Sequence, residues 1–100
     1  MPILIDPAIW PGRGRAAGRV WCHLVSDTSF EELHAFAASC GIPERAFERD
    51  HYDVPEEHRA ELIAAGATEV SGAELVRRIT AAGLRCPKHR PPPPGTVRLI

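Results

Sequence analysis

The sequence predicts a small α/β domain, a mostly parallel sheet of three to four strands with about three helices. Three observations carry this expectation. Short runs of sheet-favouring residues recur at 3–5, 20–25, 51–54 and 68–70. Stretches with apolar residues at helical spacing follow three of these runs. The connections are short, and strands alternating with helices over short connections favour parallel pairing. The alternative is an α+β arrangement in which residues 1–25 form a hairpin through a glycine loop.

Ile3-Leu4-Ile5, bounded by prolines, suits a buried strand, and Asp6-Pro7 turns the chain. Residues 11–18, PGRGRAAG, read as a loop. Val20-Trp21-Cys22-His23-Leu24-Val25 is the second strand, apolar on both faces apart from His23. A helix follows. Thr28 with Glu31, or Ser29 with Glu32, fits a capping box, and Asp27 is a further cap candidate. Phe30, Leu33, Ala37 and Cys40 form its apolar stripe, and Gly41-Ile42 supplies a left-handed stop. Residues 43–49 suit a short helical turn with Phe47 directed inward.

His51 to Val54 is the third strand. Pro55-Glu56-Glu57 opens a second helix, with proline and acids at its positive end and Leu62 and Ile63 inward. Gly66 ends it, and Thr68 to Val70 forms a short strand. Ser71 and Glu74 cap a third helix whose stripe is Leu75, Val76, Ile79 and Ala82, stopped by Gly83. The expected organisation is one domain over residues 1–85 and a basic, proline-rich tail over 86–100.

A chain of 100 residues with 44% hydrophobic and 25% charged residues fits one globular domain. No apolar run approaches a bilayer span, so no membrane association is expected. The N-terminal MPILIDPAIW lacks the basic leader of a signal peptide. Cys22, Cys40 and Cys86 are odd in number and form no CxxC pair, which points to a reducing compartment and hence the cytoplasm. Cys22 and Cys40 read as small buried hydrophobes. Charge is blocky. Residues 1–26 set one acid against three arginines, 27–69 eleven acids against three, and 70–100 one acid against six bases. That pattern lacks the single coherent basic face of a duplex DNA binder.

Several stretches taken together resemble a known family. HLVSDTSFEELHAFA (His23 to Ala37), DHYDVP (Asp50 to Pro55), GATEVSGAELVRR (Gly66 to Arg78) and DPAIWPGRGR (Asp6 to Arg15) look like the bacterial and phage proteins grouped as domain of unknown function 4031. The resemblance spans about residues 3–84 and brings no assigned activity. It marks Asp6, Trp10, Arg13, His23, Asp27, His34, His51, Tyr52, Asp53 and Arg59 as matching the family's polar positions. Ala16-Ala17-Gly18 lengthens the spacer before the tryptophan strand, and the tail lies outside the pattern.

Two constellations can carry chemistry. In a parallel sheet, Asp6, Asp27 and Asp53 fall at the carboxyl edge, where open α/β folds place ligands. Three carboxylates there repel one another unless a cation or an arginine sits among them. Oxygen ligands suit Mg²⁺ or Mn²⁺, which bridge phosphates, and Arg13 or Arg15 would steady the substrate. Capping accounts equally for Asp27 and Asp53, and a turn for Asp6.

The histidines give the second constellation. His51 and Asp53, two apart on a strand, share a face. With His23 they are the candidate catalytic residues, as an acid/base pair oriented by carboxylate. With His34 they would instead form a Zn²⁺ site, ranked behind Mg²⁺ and Mn²⁺ because no HxxxH or HExxH spacing is present. A purely structural, hydrogen-bonded role fits the same histidines. Trp10, Arg13, His34 and Tyr52 complete the candidate set as ligand-binding residues, with Trp10 either covering the sheet edge or stacking on a ring.

The expected function is therefore a phosphate-containing ligand or substrate site, with a nucleotide or nucleic acid among the candidate partners and metal-assisted phosphoester chemistry as its mechanism. The alternative is a non-catalytic interaction module or homodimer using the C-terminal VRLI or an exposed strand edge.

Overall fold

The computed structural model describes residues 2–11 and 19–86, with backbone alone at Trp10 and Pro11. The expected loop at 12–18, with Arg13 and Arg15, and the tail from 87 onward lie outside the described residues.

The strands are β1 (Ile3–Ile5), β2 (Trp10–Pro11), β3 (Val20–Ser26), β4 (Phe47–Glu48), β5 (His51–Pro55) and β6 (Thr68–Glu69). The helices are α1 (Phe30–Ser39), α2 (Arg59–Ala64) and α3 (Gly72–Ala81). Five strands follow one path in the order β4-β5-β3-β1-β6, and β2 pairs with β3 beside it.

The domain is α/β with three helices, but the sheet is mixed and not mostly parallel. Only β1 and β6 pair in parallel; β3 is antiparallel to β1, β2 and β5. Two local features reverse the expected directions. β1 and β3 pair antiparallel, and among the described residues no helix lies between them, in line with the alternative topology. After α1, the β4–β5 hairpin flips the chain once more. Glu48 pairs with His51, and Arg49 in the turn takes a φ of 58°. A two-residue turn is too short to stand out in a sequence whose neighbouring strand has only two residues.

Alternation along the strands sorts two cores. On one face, Ile3, Ile5, Cys22, Leu24, Tyr52 and Val54 are buried against Leu33 and Ala37 of α1 and Leu62 of α2. On the other, Leu4 and Val25 meet Leu75 and Ile79 of α3. Each fully buried Leu or Ile contributes about 1.5–3 kcal/mol. Val76, expected in the α3 stripe, is 40% exposed, and Ala82 is exposed too. The buried pair Leu75 and Ile79 is spaced by four, so Val76 falls on the flank. Cys22 is buried as expected, whereas Cys40 at the end of α1 is half-buried.

The caps follow the sequence closely. Ser29 and Ser71 accept the backbone N–H of Glu32 and Glu74 at 3.0 and 3.1 Å. Glu32 does not complete its capping box, because its carboxylate accepts from the Ser26 hydroxyl instead. At the other end of α1, Gly41 (φ 77°) lets Ile42 N–H reach Ala37 C=O at 2.9 Å. Among the described residues, no helix is long and apolar enough to cross a membrane.

Candidate functional site

The α3 helix covers only part of its face of the sheet. Beyond Leu4 and Val25, the same face presents His23 from the middle of β3 and His51 and Asp53 from β5. The antiparallel register sets His23 opposite Asp53, and the two-residue period adds His51 to their side.

These three side chains converge. Their nearest ligand atoms all lie within 4.8 Å of one another. Asp53 Oδ1 is 3.2 Å from His51 Nε2 and 3.8 Å from His23 Nε2. The imidazoles meet edge to face, with ring centroids 4.8 Å apart.

Each imidazole has its other nitrogen held by a different buried aspartate. His23 Nδ1 lies 2.8 Å from Asp6 Oδ2, and His51 Nδ1 lies 2.7 Å from Asp50 Oδ1. Both aspartate side chains are 1% exposed. An ionised carboxylate only accepts, so Nδ1–H donates in both pairs and each Nε2 is directed to the shared space.

The aspartates are themselves fixed. Asp6 follows β1 directly, and its backbone N–H continues the ladder to His23 C=O at 3.3 Å. Its Oδ1 accepts His23 N–H at 2.6 Å, and its carbonyl accepts Arg59 Nε–H at 2.9 Å. Asp50 Oδ2 accepts Cys86 N–H at 2.7 Å, with Arg85 Nη1 at 3.5 Å. The segment after α3 thus braces His51 through Asp50.

The ionisation behaviour follows from this packing. Burial opposes charging His51, but hydrogen bonds to Asp53 and Asp50 and their negative charges outweigh it, so its pKa is raised. Burial likewise works against the Asp53 carboxylate, yet the hydrogen bond from His51 and the two imidazole charges hold its pKa below the usual carboxylate value.

The other predicted residues are placed elsewhere. The carboxyl-edge set of Asp6, Asp27 and Asp53 does not assemble. Because β1 and β3 run antiparallel, Asp27 N–H meets Pro2 C=O at the far end of β1 from Asp6. Its carboxylate accepts from Arg78 at 2.6 Å. Asp6 stands behind His23, with both carboxylate oxygens engaged. His34 and Tyr52 bond to each other at 2.6 Å, and both rings pack on Phe47. They sit on the opposite face, since Tyr52 alternates with His51 and Asp53. Arg13 and the Trp10 side chain lie outside the described residues. Asp50 is the residue that spacing does not single out. Its one legible signal is adjacency to His51.

A cavity of about 300 Å³ opens beside Asp53, around the end of β5 that β4 leaves uncovered. Trp21, Ile42, Pro43, Ala46 and Leu62 give it apolar walls, while Arg45, His58 and Glu61 add polar groups.

A family model described as a protein of unknown function (DUF4031) matches residues 3–82. No curated protein and no solved structure matches the chain.

Proposed function

The chain belongs to that DUF4031 family, whose description assigns no activity, and from its own residues we propose a metal-dependent hydrolase acting on phosphate esters. One observation carries the reading. The Nε2 atoms of His23 and His51 converge on one Asp53 oxygen while each Nδ1 is fixed by a separate buried aspartate. Carboxylate-backed imidazoles are the usual outer support of histidine metal ligands, because the carboxylate sets the tautomer and raises ligand basicity.

Charge supports the same reading. Asp6, Asp50 and Asp53 are three negative charges, and Arg85 beside Asp50 supplies one positive charge. Arg59 at the Asp6 carbonyl adds a second positive charge and its partner Glu69 a fourth negative one, so with both imidazoles neutral two negative charges are left over among these groups, which one divalent cation offsets. Two imidazoles with one carboxylate suit Zn²⁺ or Mn²⁺ better than Mg²⁺, which prefers oxygen alone. Three protein ligands leave further coordination positions for water and substrate.

Each residue then has a task. His23 and His51 donate nitrogen lone pairs; Asp53, 39% exposed, donates an oxygen on the solvent side. Asp6 and Asp50 keep the rings oriented. Arg59, which donates to the Asp6 carbonyl and pairs with Glu69, and Arg85 beside Asp50 brace the two aspartates behind the imidazoles. A bound ion supplies Lewis acidity toward the phosphoryl group and lowers the pKa of a bound water to about 7.

A second reading keeps the cluster metal-free. His51 has a carboxylate on each nitrogen, an arrangement that suits imidazolium and an acid/base role. Thermal unfolding with Zn²⁺, Mn²⁺ and Mg²⁺ separates the two. The metal reading expects a rise in Tm with Zn²⁺ or Mn²⁺ that disappears in His23→Ala and in Asp53→Ala, together with metal-dependent hydrolysis of a generic phosphomonoester. An unchanged Tm with all three ions would overturn it and leave the metal-free pair.

A further inference from the structure

We infer that the cavity beside Asp53 receives the base of a nucleotide whose phosphate sits at the His23–His51–Asp53 cluster. The inference rests on the metal-hydrolase reading and adds the substrate class.

Position is the first argument. Asp53 belongs both to the cluster and to the cavity wall. Val54 and Leu62 place most of the cavity on the α1 and α2 side of the sheet, so a ligand with its phosphate at the cluster reaches it around the edge of β5 at residues 53–55, which β4 leaves unpaired. The void of about 300 Å³ is of the size of small-ligand pockets.

Wall chemistry is the second. Trp21 brings a flat aromatic surface, and Ile42, Pro43, Ala46, Pro55 and Leu62 bring aliphatic ones. Such surfaces take a planar ring by stacking and by exclusion of water. The third argument is the pairing of Arg45 with Glu61 in one lining. Arg45 offers donors only and Glu61 acceptors only. A nucleobase edge carries both acceptors and donors, whereas a plain alkyl or phenyl group offers neither. Among the described residues, neither side chain has a hydrogen-bond or ion-pair partner within the protein.

The test is isothermal titration of the full chain with nucleoside 5′-monophosphates, ribose 5-phosphate, phenyl phosphate and inorganic phosphate, with Zn²⁺ or Mn²⁺ present. The expected result is at least about tenfold tighter binding of a nucleoside monophosphate than of ribose 5-phosphate. In the double variant Arg45→Ala/Glu61→Gln that preference falls to near unity, while ribose 5-phosphate binds as before. Both side chains are at the surface, so the variant keeps its core.

Equal binding of ribose 5-phosphate and the nucleotides would overturn the inference, as would equal binding of phenyl phosphate and the nucleotides. Free nucleosides titrated into metal-free protein separate the two proposals. Nucleoside binding that is weakened in the double variant keeps the base site even where no metal binds. Metal binding with no preference for any nucleotide or nucleoside leaves the hydrolase reading and removes this one.

Discussion

His23 and His51 stand edge to face, ring centroids 4.8 Å apart and planes at 87°, and yet neither shares its supporting aspartate with the other. Two independent supports mean that loss of one leaves the other ring in place. The consequences of this arrangement are measurable.

Asp50→Asn keeps the shape of the side chain and removes its charge. The change should cost about 3–5 kcal/mol if the buried charge pair dominates. It should also weaken Zn²⁺ binding about 10–100-fold, the usual effect of removing an outer-shell carboxylate. Denaturant unfolding and metal titration read the two effects separately. Intact metal affinity in a folded Asp50→Asn protein would mean that the carboxylate serves only to tie down residues 85 and 86.

Asp27→Ala should leave metal binding unchanged. Its carboxylate pairs with Arg78 across the far end of the sheet, partly open to solvent. Loss of that pair should cost no more than about 1 kcal/mol. A loss of metal-induced stabilisation in this variant would return the site to the carboxyl edge.

The metal-free protein should show opposed pH responses from the cluster. His51 has a raised pKa, so its contribution is full below the ordinary imidazole value of about 6.5 and is lost as pH rises through the raised value. Asp53 has a lowered pKa, so its contribution is present above the ordinary carboxylate value of about 3.9 and is lost as pH falls through the lowered one. Stability from this pair should be greatest between those limits. Metal binding needs the imidazole deprotonated, so the Tm gain from Zn²⁺ should grow as pH rises above about 6.5. Melting curves from pH 4 to pH 9, with chelator and with Zn²⁺, test both signs.

Cys22 should resist alkylation in the folded protein. Burial pushes its thiol up to about 11, and its Sγ lies 3.4 Å from Val54 C=O. Iodoacetamide at pH 8, followed by peptide mass mapping, should leave Cys22 unmodified until denaturant is added. Labelling of Cys22 at the rate of a free thiol under native conditions would contradict its place in the core.

Leu24 and Ser71 test the fold itself. Leu24→Ala should cost about 2–5 kcal/mol, because the residue is fully buried between β3 and the α1 face. Ser71→Ala should cost about 1 kcal/mol by removing the cap at Glu74 N–H. A smaller loss at Leu24 than at Ser71 would be incompatible with the described core.

Much of the local structure was legible because it is written locally. Ser29, Gly41, Ser71 and Gly83 mark helix ends through capping chemistry that acts within a few residues. The shared face of His51 and Asp53 follows from strand periodicity alone. Direction was not legible, since Ile3-Leu4-Ile5 has the same pattern whichever way it runs beside β3. That single unknown scattered the expected carboxylate set. Asp6 joined the site through His23, while Asp27 was carried to the opposite end. Asp50 could not be found by spacing, because its second partner is the backbone of Cys86, 36 residues away.

The three-residue strand β1 has a bearing on how the chain leaves the ribosome. Its neighbours are β3 on one side and, by parallel pairing, β6 on the other. Nascent chains that end before Thr68 therefore present a bare strand edge at Leu4. Those ending before Leu75 also leave the Leu4 and Val25 surface without its cover. β1 precedes both β6 and α3 in the chain, so it is among the last elements of the sheet to be enclosed, and until then it offers an open edge to any other extended chain. Stalled or truncated products should thus be markedly stickier than the finished domain.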